Sequence, residues 1–236
     1  MCGRYATTRS AGDLSALFES YDETGGGVRP DFNVAPTDPV PLVRLDPEGH
    51  RLLSVGRWGL VPHWSRTAGG AARMINARAE TIATSRAYAP SFARRRCLVP
   101  ADGWYEWVRE PDGRKQPYFM TPADGSVLAL AGIWSVWEPG GTELLSFSVL
   151  TTAAVGELAE VHDRMPLLLP RERWTSWLGD ADDPATLLVP PPREWLDGLE
   201  IRPVSPAVGD VRNDGPELTA RVSSGPREPD SEMTLF

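Results

Sequence analysis

Cys2 follows the initiator methionine directly in "MCGRYA", and it is one of only two cysteines, with Cys97, in 236 residues. Removal of Met1 would leave one residue bearing both a thiol and a free α-amine. At pH 7 an α-amine of pKa near 7.8 is roughly 10–20 % neutral, while a lysine amine is well below roughly 0.1 % neutral. Such an amine can attack an aldehyde without strong pKa tuning, and the thiol beside it can close on the imine to give a thiazolidine. Alternatively, the amine could act as general base for the thiol, as in N-terminal nucleophile hydrolases. An incidental cysteine is the plain alternative.

Three more stretches carry residue types suited to chemistry. In "INARAE" (75–80), alternation places Asn76, Arg78 and Glu80 on one side if the segment is extended. Asn offers a neutral donor and acceptor, and Arg a forked cation suited to phosphate; the bland alternative is a helix start with a solvated arginine. In "ADGWYEW" (101–107), Trp104 and Glu106 share a strand face, a setting that raises a carboxyl pKa towards neutrality and makes a general acid. A strand-edge glutamate in water is the alternative. In "VHDRMP" (161–166), an extended step points His162 and Arg164 the same way, one able to shuttle protons and the other to hold an anion. A helix-terminal histidine beside an exposed ion pair would look the same.

The elements that must position these residues are mostly strands. Residues 10–22 read as an amphipathic helix, with Ser10 and Asp13 as a capping pair and Leu14, Leu17, Phe18 and Tyr21 on one face. "PLVRL", "DPEG" and "RLLSV" read as a hairpin, and residues 79–96 as a helix interrupted at Pro90. Then "CLVP", "WYEWV", "PYFM", "VLALAGIWSVW" and "LLSFSVLTT" run or alternate apolar, as packed strands do. "PRERWTSWLG" and "PREWLDGL" read as short helices and "EIRPVS" as a last strand. The expected fold is α+β: a single domain over residues 1–221 with a largely antiparallel, barrel-like β core flanked by short helices. Residues 222–236 are polar and uneven, and read as a disordered tail.

Composition excludes several classes. No apolar run approaches membrane-spanning length and no secretory signal is present, so a cytoplasmic protein with no membrane partner is expected. Two cysteines make no disulfide framework, and no closely spaced Cys or His pair suggests a zinc site, so no metal or other cofactor is expected. The net charge of −8 argues against nonspecific coating of nucleic acid, although it leaves room for a local basic cleft.

Taken in order, "MCGRYA", "NVAPT" (33–37), "WGLVPHW" (58–64), "INARAE", "ADGWYEW" and "VHDRMP" resemble the SOS-response-associated peptidase family of abasic-site-processing proteins, and "AVGDVRNDGPEL" (207–218) looks like that family's C-terminal segment. The resemblance runs from Cys2 to about residue 220. It implies a DNA damage response protein that binds abasic sites in single-stranded DNA and becomes covalently attached through Cys2, as a thiazolidine, after Met1 removal. It also implies that Asn76 positions the sugar or the Cys2 amine, and that Glu106 and His162 carry the proton transfers of ring opening, imine formation and reversal. Arg78 and Arg164, with Arg4 as a third, would grip phosphates. Pro36 and Trp64 would line the DNA groove, Trp64 stacking on an exposed base, and Thr151 is a further DNA-binding candidate. Ser65 follows Trp64 where some relatives carry another aromatic residue.

Two rivals make different demands. A class II glutamine amidotransferase also begins Met-Cys-Gly, but it leaves "ADGWYEW" and "VHDRMP" unexplained; a noncovalent single-strand binding module would treat abasic and intact strands alike. The terminus "EMTLF" resembles a short peptide that docks on the replication sliding clamp, through Glu232, Met233, Leu235 and Phe236, with glutamate where such peptides usually have glutamine. One reactive residue per chain needs no partner subunit, so a monomer acting at the nucleoid is expected.

Overall fold

Alternation along the central strands divides their side chains between two cores. Leu42, Cys97, Val99, Leu128, Leu130, Phe147 and Val149 share one apolar cluster, while their neighbours Val43, Leu98, Ala129, Ala131 and Leu150 belong to another. Successive side chains of a strand point to opposite faces, so a sheet covered on both sides produces this split. A computed structural model of the chain, which describes residues 2–179 and 183–222, shows what covers each face.

In chain order the elements are β1 (Tyr5–Thr7), α1 (Ala11–Phe18), β2 (Tyr21–Asp22), β3 (Asp31–Val34), β4 (Pro39–Leu45), β5 (Arg51–Trp58) and β6 (Asn76–Arg78). There follow α2 (Ala89–Arg94), β7 (Arg96–Ala101), β8 (Gly103–Arg109), β9 (Lys115–Pro122), β10 (Leu128–Trp137) and β11 (Leu144–Ala153). The chain ends with α3 (Leu158–Val161), β12 (Arg164–Pro166), α4 (Trp174–Leu178), α5 (Arg193–Leu196) and β13 (Leu199–Pro203). Strands β10, β7, β4 and β5 pair in that order, and β5 pairs in parallel with β11, which returns to β10. That closes a five-stranded barrel. A second sheet, ordered β13-β9-β8-β1-β3, contributes Tyr5, Trp104 and Met120 to the first cluster, and α1 and α4 cover the second through Leu14, Phe18, Trp174 and Trp177. The α+β single domain with a barrel core is as expected.

The hairpin β4–β5 and the strands of the centre fall where the sequence places them. Two helices do not. Ser10 does cap α1, its hydroxyl accepting from Asp13 N–H at 3.1 Å, but the helix stops at Phe18 because Glu19 turns left-handed (φ 53°). Tyr21 therefore leaves the helix face, pairs with Leu52 in β2, and is exposed. Residues 79–96 are not one helix either. Pro90 begins α2 rather than interrupting it, because proline at the first helical turn sacrifices no hydrogen bond. The predicted tail and its clamp-like "EMTLF" lie outside the described residues from 223 onward.

Four of the nine tryptophans, Trp58, Trp104, Trp174 and Trp177, are buried in the cores, whereas Trp64 is 54 % exposed. Gly59 follows β5 with φ 126°, and a Cβ there would fall 2.5 Å from Ala71 O, so only glycine admits the tight return of the 59–75 loop.

Candidate active site

Chain termini fray unless tied down, and several contacts tie this one. Tyr5 and Ala6 pair with Trp104 and Gly103, and Tyr105 N–H donates to Arg4 O at 2.9 Å, so residues 2–4 run back along β8 towards Glu106. Arg4 Nη1 donates to Asn33 Oδ1 (2.7 Å) and to Val208 O (2.9 Å). Asn33 Nδ2 donates in turn to Asp210 O and Asn213 O, so the 207–218 segment closes over the N-terminal strand. Lastly, Asn76 Nδ2 donates to Cys2 O at 2.6 Å. Cys2 is fully buried, and burial, reinforced by the Glu106 carboxylate, pushes its thiol far above the ordinary value.

Glu106 lies on the same face of β8 as Trp104 and is 4 % exposed. Burial, with a smaller contribution from Asp163, raises its carboxyl from 4.5 to about 7. At neutral pH it is therefore divided between acid and base, the condition in which one group can give and take protons in a single cycle. Burial lowers the His162 pKa. Its Nδ1 lies 2.9 Å from Arg164 N and 2.8 Å from Asp163 Oδ1, two contacts that require opposite protonation of that nitrogen. The amide contact is the one to keep. Asp163 is largely exposed and water-screened, and an N–H can only donate. Nδ1 then accepts, and the neutral ring carries its proton on Nε2.

β11 carries the strands that bear Asn76, Arg78 and Arg164. β6 pairs with it in parallel, Val149 opposite Asn76 and Thr151 opposite Arg78, while β12 pairs antiparallel, Thr151 opposite Pro166 and Ala153 opposite Arg164. Three backbone anchors hold the approach to Asn76: Trp58 Nε1 donates to Ile75 O (3.0 Å), Tyr88 OH to Asn76 O (3.1 Å), and Ser148 Oγ to Met74 O. The Asn76 Oδ1 is buried without a hydrogen bond among the described residues and is able to accept one.

The remaining candidates divide. Arg78 and Trp64 are exposed, and the Arg86 guanidinium lies 6.0 Å from the Trp64 ring centre. Pro36 occupies the turn from Ala35 to Asp38, where Thr37 is left-handed (φ 82°). Arg164 is only 15 % exposed, its Nη atoms meeting Glu80 and Thr151. Thr151 is fully buried, so it reaches the surface only through Arg164. Arg4 is committed to Asn33 and Val208 O, as described above.

Sequence reasoning overlooked Asn33, Tyr88 and Arg86, and passed over Glu80 as a partner for Arg164. Asn33 opens the quoted "NVAPT" but finds its partners in Arg4 and in the 207–218 segment, and Tyr88, which donates to Asn76 O, belongs to none of the quoted motifs. Arg86 did leave a signal: residues 57–96 contain eight arginines and a single acidic residue, Glu80, within a chain of net charge −8.

Comparisons with known proteins find relatives that span nearly the whole chain. Abasic site processing protein YedK of Escherichia coli (strain K12) is 36% identical over 232 residues, covering 94% of this chain and 100% of that protein. Abasic site processing protein YoqW of Bacillus subtilis (strain 168) is 32% identical over 225 residues, covering 92% and 98%. Abasic site processing protein HMCES of Gallus gallus is 31% identical over 274 residues, covering 97% and 80%. A crystal structure of a protein from Bacteroides thetaiotaomicron shares the fold with a TM-score of 0.81 at 23% identity, covering 94% of this chain and 100% of that one. Residues 1–211 match the family described as SOS response associated peptidase (SRAP), and the chain belongs to that family.

Proposed function

We propose that this protein recognises abasic sites in single-stranded DNA and, once Met1 is removed, forms a covalent thiazolidine with the lesion through Cys2. The observation that carries the reading is the setting of Cys2: buried, held through its carbonyl by Asn76, and electrostatically coupled to a carboxyl poised near 7. A cysteine needed only for packing requires neither the amide clamp nor the carboxyl.

The chemistry balances with these groups. The Cys2 amine adds to the aldehyde carbon of the ring-opened deoxyribose, and loss of water gives the imine, with protonated Glu106 supplying the proton that the leaving hydroxyl requires. The thiol sulfur then bonds to the imine carbon while the thiol proton passes to nitrogen. The net change is loss of one water. A raised thiol pKa keeps the sulfur protonated until the imine forms, so the amine acts first. His162, neutral with its proton on Nε2, would assist ring opening at the sugar oxygen. Asn76 Oδ1 would accept from the Cys2 amine or from a sugar hydroxyl. Consuming the imine also suppresses the β-elimination that an imine otherwise invites, which preserves the strand.

Arg78 would contact a phosphate beside the lesion, and Trp64 would stack on an unpaired base. Self-removal of Met1 accounts for the family's peptidase designation without any second protein substrate. The test is intact mass, alone and after incubation with a single strand containing one abasic site. Loss of Met1, with an adduct of protein plus strand less one water that vanishes in Cys2→Ala, is the expected result. Retention of Met1 with no adduct overturns the reading.

A further inference from the structure

Glu80 is the only acidic residue in the stretch 57–96, which holds eight arginines, and its carboxylate pairs with Arg164. Its Oε1 accepts from Arg164 Nη1 at 2.7 Å and its Oε2 from Nη2 at 2.9 Å, a two-pronged pairing that occupies the guanidinium fork. Nη2 also donates to Thr151 O at 2.6 Å and lies 3.2 Å from Thr151 Oγ1, which fixes the arginine on β11. The partners differ in exposure: the Arg164 side chain is 15 % exposed and that of Glu80 49 %. A phosphodiester presents two oxygens to arginine in the same geometry as a carboxylate. Glu80 therefore stands, from the solvent side, where a phosphate would have to bind.

We propose that Glu80 is a specificity-determining residue: by filling the Arg164 fork it denies that charge to intact strands, so that only a strand retained at Cys2 persists long enough to exchange carboxylate for phosphate. The inference rests on the function proposed above. Discrimination built by weakening the wrong ligand is as effective as discrimination built by strengthening the right one. Intact single strands vastly outnumber lesions wherever DNA is unpaired, and a reagent that binds every strand through all its arginines would be sequestered. The covalent bond supplies the persistence that Arg164 withholds at first contact.

The experiment measures noncovalent affinity for a short intact single strand across a salt series, using the full chain, Glu80→Gln, Arg164→Gln and the double variant. Glu80→Gln should tighten intact-strand binding about fivefold at low salt, the equivalent of one unscreened charge contact at the surface. It should also steepen the log–log salt dependence by about 0.7, one phosphate's share on a single strand. In the Arg164→Gln background the same substitution should give little of either change. Glu80→Asp stays charged but is too short to hold both guanidinium nitrogens, and should shift binding in the same direction by less. Unchanged or weaker binding by Glu80→Gln would mean that Glu80 only orients Arg164, and an equal gain without Arg164 would mean general repulsion; either result overturns the proposal. Because the intact strand forms no adduct, this assay is decided separately from the covalent chemistry.

Discussion

Replacing Glu106 by glutamine should stabilise the protein at alkaline pH while slowing the proposed chemistry, and the size of the gain follows from the site. The carboxyl is nearly isosteric with the amide, is 4 % exposed, and titrates at about 7 rather than 4.5. A carboxyl whose folded pKa lies above its unfolded value binds its proton more tightly when folded. Its contribution is therefore complete below the unfolded pKa and is lost as pH rises through the folded one. The interval from 4.5 to about 7, at about 1.36 kcal/mol per pH unit, makes the loss about 3 kcal/mol once the group is fully ionised. Glutamine has no proton to lose and escapes that cost, less about 1 kcal/mol for a weaker hydrogen bond. For a chain of this size, a net gain of about 2 kcal/mol raises the melting temperature by about 4–8 °C. The assay is thermal melting of parent and variant at about pH 8 and about pH 4, outside the titration window on each side. The gain should appear at the higher pH and be absent at the lower, where both proteins are neutral at this position. Equal shifts at both pH values, or none at the higher, would refute the claim that Glu106 is an acid held up by burial. Adduct formation by the variant should fall by about 10²–10⁴-fold, the range for loss of a positioned acid or base.

Two further outcomes separate chemistry from binding. Asn76→Ala removes the donor to Cys2 O at a stability cost of about 1 kcal/mol, and should slow adduct formation about tenfold or more at saturating DNA with little change in the half-saturating concentration; single-turnover kinetics read both. Trp64→Ala, at a site 54 % exposed, should leave the melting temperature unchanged yet weaken single-strand binding by about 1–3 kcal/mol, measured by fluorescence anisotropy with an intact strand.

Local pattern carried much of this fold and less of its site. The five central strands were legible because each is an apolar run or alternation bounded by turn residues. The carboxyl of Glu106 was legible because Trp104 two residues earlier fixes which face it shares. The end of α1 was not: Leu17, Phe18 and Tyr21 keep the helical spacing, but Tyr21 gains strand pairing with Leu52, and a tertiary partner outweighs periodicity. Nor was the Arg164–Glu80 pair, whose members lie 84 residues apart with no shared motif. Closure of the barrel through a parallel β5–β11 contact left no local trace either, since parallel neighbours need no hairpin turn between them.

What unites the last two of these features is one strand. Along one edge β11 pairs first with β5, at Ser146 and Phe147, and then with β6, from Val149 to Thr151. Along its other edge it pairs with β10 as far as Val149 and then with β12 from Thr151 to Ala153. The first half of β11 thus closes the barrel, and the second half fixes Asn76, Arg78 and Arg164 relative to one another. A slip of one residue in that register would turn every side chain of the strand to the opposite face, and it is specified by buried contacts on both sides: Phe147 and Val149 towards one core, Leu150 towards the other. The geometry of the site is therefore set by the packing that stabilises the barrel. For that reason its residues could be nominated one motif at a time in the sequence, whereas their convergence appears only in the folded chain.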